Sequence, residues 1–186
     1  MPAGILGQRG FTLSELLITL AVSAISLSLA VPALNQALGD ERRASAINEL
    51  VATLHLARSV AITSNAPVTV CASRDGETCA ADGWEQGWIS FADESLRRAP
   101  QNGELLSESG PASEGLSIRS QRFPQFLTYR PNGQVMVNRL DENTGAFTVC
   151  DARSGDTARI VQVIISGQAR LDERQASGAL PDCPGK

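Results

Sequence analysis

The most constraining feature of this chain is an almost unbroken apolar run, residues 11–34, that follows a short leader containing Arg9. About 20 apolar residues at 1.5 Å per helical residue match the ~30 Å hydrocarbon core of a bilayer. The run therefore predicts one membrane-spanning helix. One charge interrupts it, Glu15. An acidic group inside a spanning helix costs about 2.5–3.5 kcal/mol on insertion scales, so Glu15 requires a cationic partner.

Cleavage of the chain between Gly10 and Phe11 would create such a partner. The freed α-amine of Phe11 would lie about one helical turn from Glu15. The alternative is an ordinary secretory signal peptide that is cleaved near Ala30 or Ala33. Glu15 fits poorly in a segment of that kind.

Residues 10–15 read Gly-Phe-Thr-Leu-Ser-Glu and resemble the class III signal of type IV pilins and pseudopilins. The resemblance implies that a prepilin peptidase cuts after Gly10 and methylates the amine of Phe11. It also implies that Glu15 neutralises the terminal amine of a neighbouring subunit during filament assembly. Pro32 resembles the proline that loosens the helix in many pilins.

The 186 residues divide most simply into four segments. We expect a leader at 1–10, a transmembrane helix at 11–34, an amphipathic stalk helix at 35–63 and a periplasmic β-rich globular domain with a disulfide-clipped tail at 64–186. The net charge of −4 argues against a general attraction to nucleic acid or to anionic lipid.

The stalk segment carries apolar residues at helical spacing, which predicts a helix with one face packed on the globular domain. The same pattern leaves Arg42 and Arg43 in water. Arg58 lies near the middle of the apolar stripe, so we expect it to cap sheet carbonyls or to pair with a core carboxylate. The predicted packed face consists of Ile47, Leu50, Val51, Leu54, Ala61 and Ile62.

Two segments resemble motifs of the GspH/FimT family of minor pseudopilins and minor pilins. Residues 56–61 resemble the Leu-Ala-Arg-Ser-Glu-Ala motif, with Val60 in place of the glutamate, and residues 84–93 resemble a Trp-x-x-Gly-Trp-x-x-Phe-x-Asp signature. The aromatic side chains are expected in the core, with a ligand cage as the alternative.

After Pro67 the pattern changes to short apolar or alternating runs separated by turns, which predicts an antiparallel sheet and an α+β fold with one long N-terminal helix packed on it. Residues 131–133, Pro-Asn-Gly, predict a hairpin turn. Residues 93–115 predict a long exposed loop with one short strand at 104–106. The other predicted strands are 68–72, 87–92, 116–119, 126–130, 134–138, 146–150 and 159–165.

Four cysteines form an even set in a domain that the leader places outside the cytoplasm, where disulfides persist. Three pairings are possible. We favour Cys71 with Cys79, across a hairpin centred on residues 75–76, and Cys150 with Cys183, which would attach the tail to the sheet. A zinc site is the weaker alternative, since the spacing of the cysteines does not match a metal knuckle.

The tail contains a candidate DNA-binding segment. Some pilus-side relatives carry a Gly-Arg-x-Arg stretch that is associated with DNA binding during natural transformation. This chain resembles it at residues 167–170, with Gln168 in place of the first arginine. Arg170 and Arg174 remain as candidate phosphate contacts, although nearby acidic residues offset their charge.

The sequence contains one histidine and four cysteines that are expected to pair, which do not provide a nucleophile, a base and an orienting group. We therefore expect neither an enzyme nor a cofactor or metal site. The resemblance implies a minor pilin-like structural subunit of a type II secretion pseudopilus or a type IV pilus. Its expected partners are the prepilin peptidase, other pilins or pseudopilins, and inner-membrane lipid. The C-terminal domain is expected in the periplasm. The alternative function is DNA capture for natural transformation.

Overall fold

The computed structural model describes residues 12–101, 103–136, 145–151, 158–172 and 183. The chain forms two compact units, Met1–Asp40 and Glu41–Lys186. One helix, α1 (Leu13–Ser64), contributes to both units. In the second unit this helix packs on antiparallel sheets, so the predicted α+β fold is confirmed.

Nine short strands follow the helix among the described residues, and every strand pair is antiparallel. The first sheet has the strand order β3-β2-β1-β5-β6 and the second has the order β4-β7-β8-β9. A 3₁₀ helix, Trp84–Gln86, precedes β2. The strands are β1 (Val68–Ala72), β2 (Trp88–Ala92), β3 (Leu105–Ser109), β4 (Ser117–Arg119), β5 (Phe126–Tyr129), β6 (Val135–Met136), β7 (Gly145–Cys150), β8 (Arg159–Val163) and β9 (Ala169–Asp172).

The first part of α1, up to residue 38, contains no buried side chain. Every described side chain from residue 12 to residue 38 is exposed, and Pro32 lies inside the helix. The hydroxyl groups of Thr19 and Ser23 donate to backbone carbonyls of the preceding turn, so these polar groups are satisfied within the helix. By length and composition, α1 is able to cross a membrane, and none of its most apolar stretch is buried in the molecule.

The second part of α1 supplies one side of the hydrophobic core. Leu50 and Leu54 are completely buried and pack with residues of both sheets. Trp88 on β2 donates from its indole Nε1 to Thr53 Oγ1 at 3.1 Å, which fixes the first sheet to the helix. The predicted packed face is correct except at Ile62, which is 44% exposed. Ile62 lies beyond the core contacts, next to the turn at Gly133.

Arg43 was expected in water, and this expectation is wrong. Its Nη1 lies 3.0 Å from Asp151 Oδ2, and both side chains are only 8% exposed. Arg43 precedes the buried Ala46 and Ile47 by three and four residues, so it faces the sheets on the same side of the helix. Asp151 directly follows β7 and supplies the charge that makes this burial tolerable.

Residues 93–115 are mostly exposed, as expected, and they are also tied to the first sheet. Asp93 is 3% exposed and accepts hydrogen bonds from the backbone N–H groups of Arg97 and Arg98 and from Thr69 Oγ1. Because an ionised carboxylate only accepts, Thr69 donates to it, and Thr128 must then donate to Thr69 across 2.8 Å. The predicted short strand is present as β3, which begins one residue later than expected and ends at Ser109.

The four cysteines form two disulfides in the favoured pairing. The Cα atoms are 5.6 Å apart in the pair Cys71–Cys79 and 5.9 Å apart in the pair Cys150–Cys183. The first disulfide joins β1 to a loop, and the second attaches residue 183 to the end of β7.

The chain turns back between Cys71 and Cys79 as expected, and Ala80 N–H donates to Ala72 O at 2.7 Å, but residues 73–79 contain no strand. The Asp75 carboxylate instead organises this segment by accepting hydrogen bonds from the hydroxyl and the backbone N–H of Thr78 and from the N–H of Glu77. These bonds to Thr78 and Glu77 lower the pKa of Asp75. The Asp75 side chain therefore stabilises a turn at this point, where a strand pair was predicted.

Strand β9 was not predicted. The chain turns back after β8, with Ile164 N–H donating to Gln168 O and Gly167 N–H donating to Ile164 O. Gly167 has φ +79°, which permits this turn. The four residues of β9 contain both Arg170 and Asp172, so their pattern alone is too short and too polar to indicate a strand.

Replacing Arg43 with alanine is expected to lower the free energy of unfolding by about 3–5 kcal/mol, because the Asp151 carboxylate would stay buried after losing its ion pair with Arg43. Denaturant unfolding of the full chain in detergent measures this change. Arg42→Ala is the matched control, since Arg42 is exposed, and it should change stability by no more than about 0.5 kcal/mol. Equal effects of the two substitutions would contradict the role given to the buried pair.

Candidate functional site

Two places in the structure carry the residues singled out by the sequence. The first is the start of α1. Glu15 Oε2 accepts hydrogen bonds from the Thr12 backbone N–H at 2.9 Å and from the Thr12 hydroxyl at 2.8 Å. Thr12 Oγ1 accepts in turn from the Glu15 N–H at 3.3 Å. This is a reciprocal capping box at the helix N-terminus.

The capping box gives Glu15 a set of donors that the sequence analysis did not foresee. The signal was present, because Thr12-Leu13-Ser14-Glu15 has the Thr-x-x-Glu spacing that precedes an apolar helical run. The carboxylate also lies in the first turn, where the helix dipole favours negative charge. Gly10 and Phe11, the residues of the predicted cleavage, lie outside the described part of the chain.

The second place is the turn junction, which we define as Arg58 and Ile62 on α1 together with the turns at residues 130–134 and 164–168. Arg58 Nε lies 3.1 Å from Gly133 O and 3.1 Å from Ser166 O. One of these carbonyls belongs to the β5–β6 turn of the first sheet and the other to the β8–β9 turn of the second. The prediction that Arg58 caps sheet carbonyls is confirmed, and the arginine links the helix to both sheets.

The two turns touch each other at their glycines. A Cβ atom on Gly167 would clash with the Gly133 carbonyl oxygen and would lie 3.1 Å from Arg58 Nε. Both glycines have positive φ, +77° at Gly133 and +79° at Gly167. Backbone therefore packs against backbone at this point, and a side chain at Gly167 would separate the two sheets.

Tyr129 lies under the turn junction. Burial raises the pKa of its hydroxyl, and the nearby charge of Arg58 opposes that shift only partly. Tyr129 Oη is the single buried polar side-chain atom that lacks a hydrogen-bond partner in the described part of the molecule. The phenol is therefore a neutral, apolar-facing component of the core.

The two tryptophans of the 84–93 signature are core residues, as expected, since each is 1% exposed. Trp84 donates from Nε1 to Phe123 O at 2.9 Å, and its ring meets Phe147 edge-on at 4.9 Å between centroids. Both indole N–H groups are thus used inside the protein, so these rings do not form a ligand cage.

The candidate DNA contact Arg170 lies on the exposed side of β9. Its Nη2 and Nε lie 3.0 Å and 3.3 Å from Gln162 Oε1 on the neighbouring strand. This contact holds the guanidinium along the sheet and occupies two of its donors. Arg174 lies outside the described residues.

Comparison with known proteins agrees with these features. The family model described as Type II transport protein GspH matches residues 46–169, and the model described as Prokaryotic N-terminal methylation motif matches residues 5–31. No curated protein sequence matches the chain.

Three solved structures are similar to this chain. Two crystal forms of the type IV minor pilin FimU of Pseudomonas aeruginosa share 22% and 21% identity, with TM-scores of 0.55 and 0.53. Each match covers 74% of this chain, and the two cover 90% and 95% of the respective FimU chains. The minor pseudopilin EpsH from the Type 2 Secretion System of Vibrio cholerae shares 16% identity over 68% of this chain and 92% of its own, with a TM-score of 0.46. The FimU likeness shows the fold.

Gly167→Ala is expected to destabilise the protein by more than the backbone cost of a positive φ, because the methyl group would also separate the two turns. Gly103→Ala is the matched control, since Gly103 has φ +84° but no atom within 4 Å of the added Cβ position. The control should cost about 1–2 kcal/mol. Gly167→Ala should cost about 1–3 kcal/mol more, measured by chemical unfolding of the full chain in detergent. Equal costs would show that the turns do not constrain each other.

Proposed function

This chain belongs to the Type II transport protein GspH family, and from that premise we propose that it is a minor subunit of a type II secretion pseudopilus or a type IV pilus. It is a structural subunit of a pilin-like filament. We place it at the filament tip, where it helps to start assembly and so supports protein secretion or pilus biogenesis.

The observation that carries this proposal is the unburied apolar part of α1. Residues 12–38 expose all of their described side chains, although the segment is strongly apolar. Such a helix requires an apolar environment from outside its own chain. Lipid supplies it before assembly, and the helices of neighbouring subunits supply it in the filament.

Processing of the N-terminus provides the positive charge that balances Glu15 in the proposal. In the proposal, the prepilin peptidase cleaves between Gly10 and Phe11 and methylates the new amine of Phe11. Thr12 satisfies the Glu15 carboxylate through neutral hydrogen bonds in the single chain. Neutral donors do not cancel the charge, so the ammonium group of a neighbouring subunit adds a stabilisation available only in the filament.

The proposal also assigns each segment to a compartment. Residues 1–10 are the leader, 11–34 cross the inner membrane once, 35–63 form the stalk, and 64–186 form the periplasmic domain. The two disulfides support an oxidising location for the last segment. Inner-membrane lipid, the prepilin peptidase and other pilins or pseudopilins are the proposed partners, and the catalysis of processing belongs to the peptidase.

Glu15→Ala is expected to give a subunit that is processed and membrane-bound but incorporates into filaments at least about tenfold less, because the ion pair with the neighbouring amine is lost. Mass spectrometry of the mature N-terminus and quantification of the subunit in sheared filaments measure the two steps separately. Ser23→Ala, in the same exposed apolar segment, is the control and should incorporate normally. Unchanged incorporation of the Glu15 variant would contradict the proposed pairing.

DNA capture is the second candidate function, and the exposure of Arg170 on β9 is the observation that favours it. If it is correct, the full chain in detergent binds duplex DNA at low salt, and the binding weakens as salt rises because counterions are released. Arg170→Ala should weaken this binding, and Arg119→Ala, an exposed arginine on the distant edge strand β4, should not. Absence of binding at low salt would exclude this candidate.

A further inference from the structure

The turn junction has a charge that differs from that of the whole protein. The chain has 20 acidic and 16 basic residues. Residues 58–65, 130–134 and 164–168 contain no aspartate or glutamate, whereas they include Arg58 and Arg130. Arg130 is exposed at the base of its turn, where its backbone bonds to Gly133 and Gln134. The segments that form the junction therefore carry only positive charge, although the protein as a whole is acidic.

The Arg58 guanidinium retains donors that the fold does not use. Its Nε serves both turn carbonyls, while its Nη atoms have no hydrogen-bond partner among the described residues. The side chain is half-buried and is held in place by the two carbonyls. A guanidinium fixed through Nε presents its outer N–H groups in the planar arrangement that matches a carboxylate.

Two large exposed apolar side chains also belong to the turn junction. Ile62 is 44% exposed and Ile165 is 53% exposed. Ile62 Cδ1 would lie 2.8 Å from a Cβ atom on Gly133, so it borders the first turn, and Ile165 lies within the second turn beside Ser166. One exposed isoleucine is ordinary, but two on the helix and turn that Arg58 joins give the junction a mixed apolar and cationic character.

We propose that the turn junction binds a neighbouring subunit of the filament, through a surface on which a carboxylate lies between aliphatic side chains. The carboxylate pairs with Arg58 and Arg130, and the aliphatic groups cover Ile62 and Ile165. A nucleic acid matches this surface less well, because its phosphates would meet the arginines while the isoleucines would gain no apolar contact. This inference rests on the proposed function, since it requires that the chain be part of a filament.

Site-specific crosslinking in cells tests the inference on the full chain. A photoreactive benzoyl-phenylalanine is placed at Ile165 or, as a matched control, at Leu171, which is 56% exposed on β9. Filaments are sheared and purified after illumination, and adducts are mapped by mass spectrometry. We expect an Ile165 adduct to an acidic segment of another filament subunit and at least about fivefold less of that adduct from Leu171.

Charge reversal provides the second arm of the test. Arg130→Glu should reduce the Ile165 adduct at least about fivefold, and replacing the mapped partner carboxylate with lysine should restore it. Arg130→Gln, which removes the charge without reversing it, should give an intermediate yield. Formation of both disulfides and unchanged resistance to proteolysis would show that these variants fold.

The possible failures are distinguishable. If the chain is present in filaments but Ile165 gives no mapped adduct, or gives one with nucleic acid, the inference is overturned and the proposed function stands. An adduct that is insensitive to Arg130→Glu also overturns the inference. If the chain is absent from purified filaments, both the inference and the proposed function are wrong.

Discussion

The burial of one face of α1 against two sheets is the interaction on which the rest of this structure depends. Leu50 and Leu54 are completely enclosed, and both sheets contribute to the core that surrounds them. Trp88 adds a hydrogen bond to Thr53, and Arg43 adds an ion pair with Asp151. The helix is thus a structural element of the globular unit over Glu41–Ser64 and an unburied apolar rod before it. The side-chain pattern thus changes along a single helix, from an exposed apolar segment to a segment with one buried face.

Much of this fold was predictable because the signals were local. Strand β1 was predicted with its observed bounds, and the Pro-Asn-Gly turn supplied the positive φ that a tight connection requires. The errors arose where a distant group decided the outcome. The sequence predicts a solvated Arg43, because its partner Asp151 lies 108 positions away in the chain. Strand β9 depends on pairing with β8, which a four-residue pattern does not reveal.

The residues of the candidate sites show the same contrast between local signals and distant partners. Arg58 was recognisable as structural because a charge in the middle of an apolar stripe must find acceptors, but the sequence did not show that its acceptors are two turns from different sheets. At the other end of the helix, the apolar run predicts a cation for Glu15, whereas the neutral donors of Thr12 are indicated by the capping spacing. The acceptors of Arg58 are distant in the sequence, whereas the donors of Glu15 lie only three residues away.

The pair Arg43 and Asp151 has a mechanical consequence. Arg43 is the first buried side chain along α1, and Asp151 is adjacent to Cys150, which is covalently joined to Cys183. Tension applied along the helix is passed to the end of β7 in part through this ion pair. The end of β7 therefore resists peeling through the Cys150–Cys183 crosslink as well as through its ladder of hydrogen bonds.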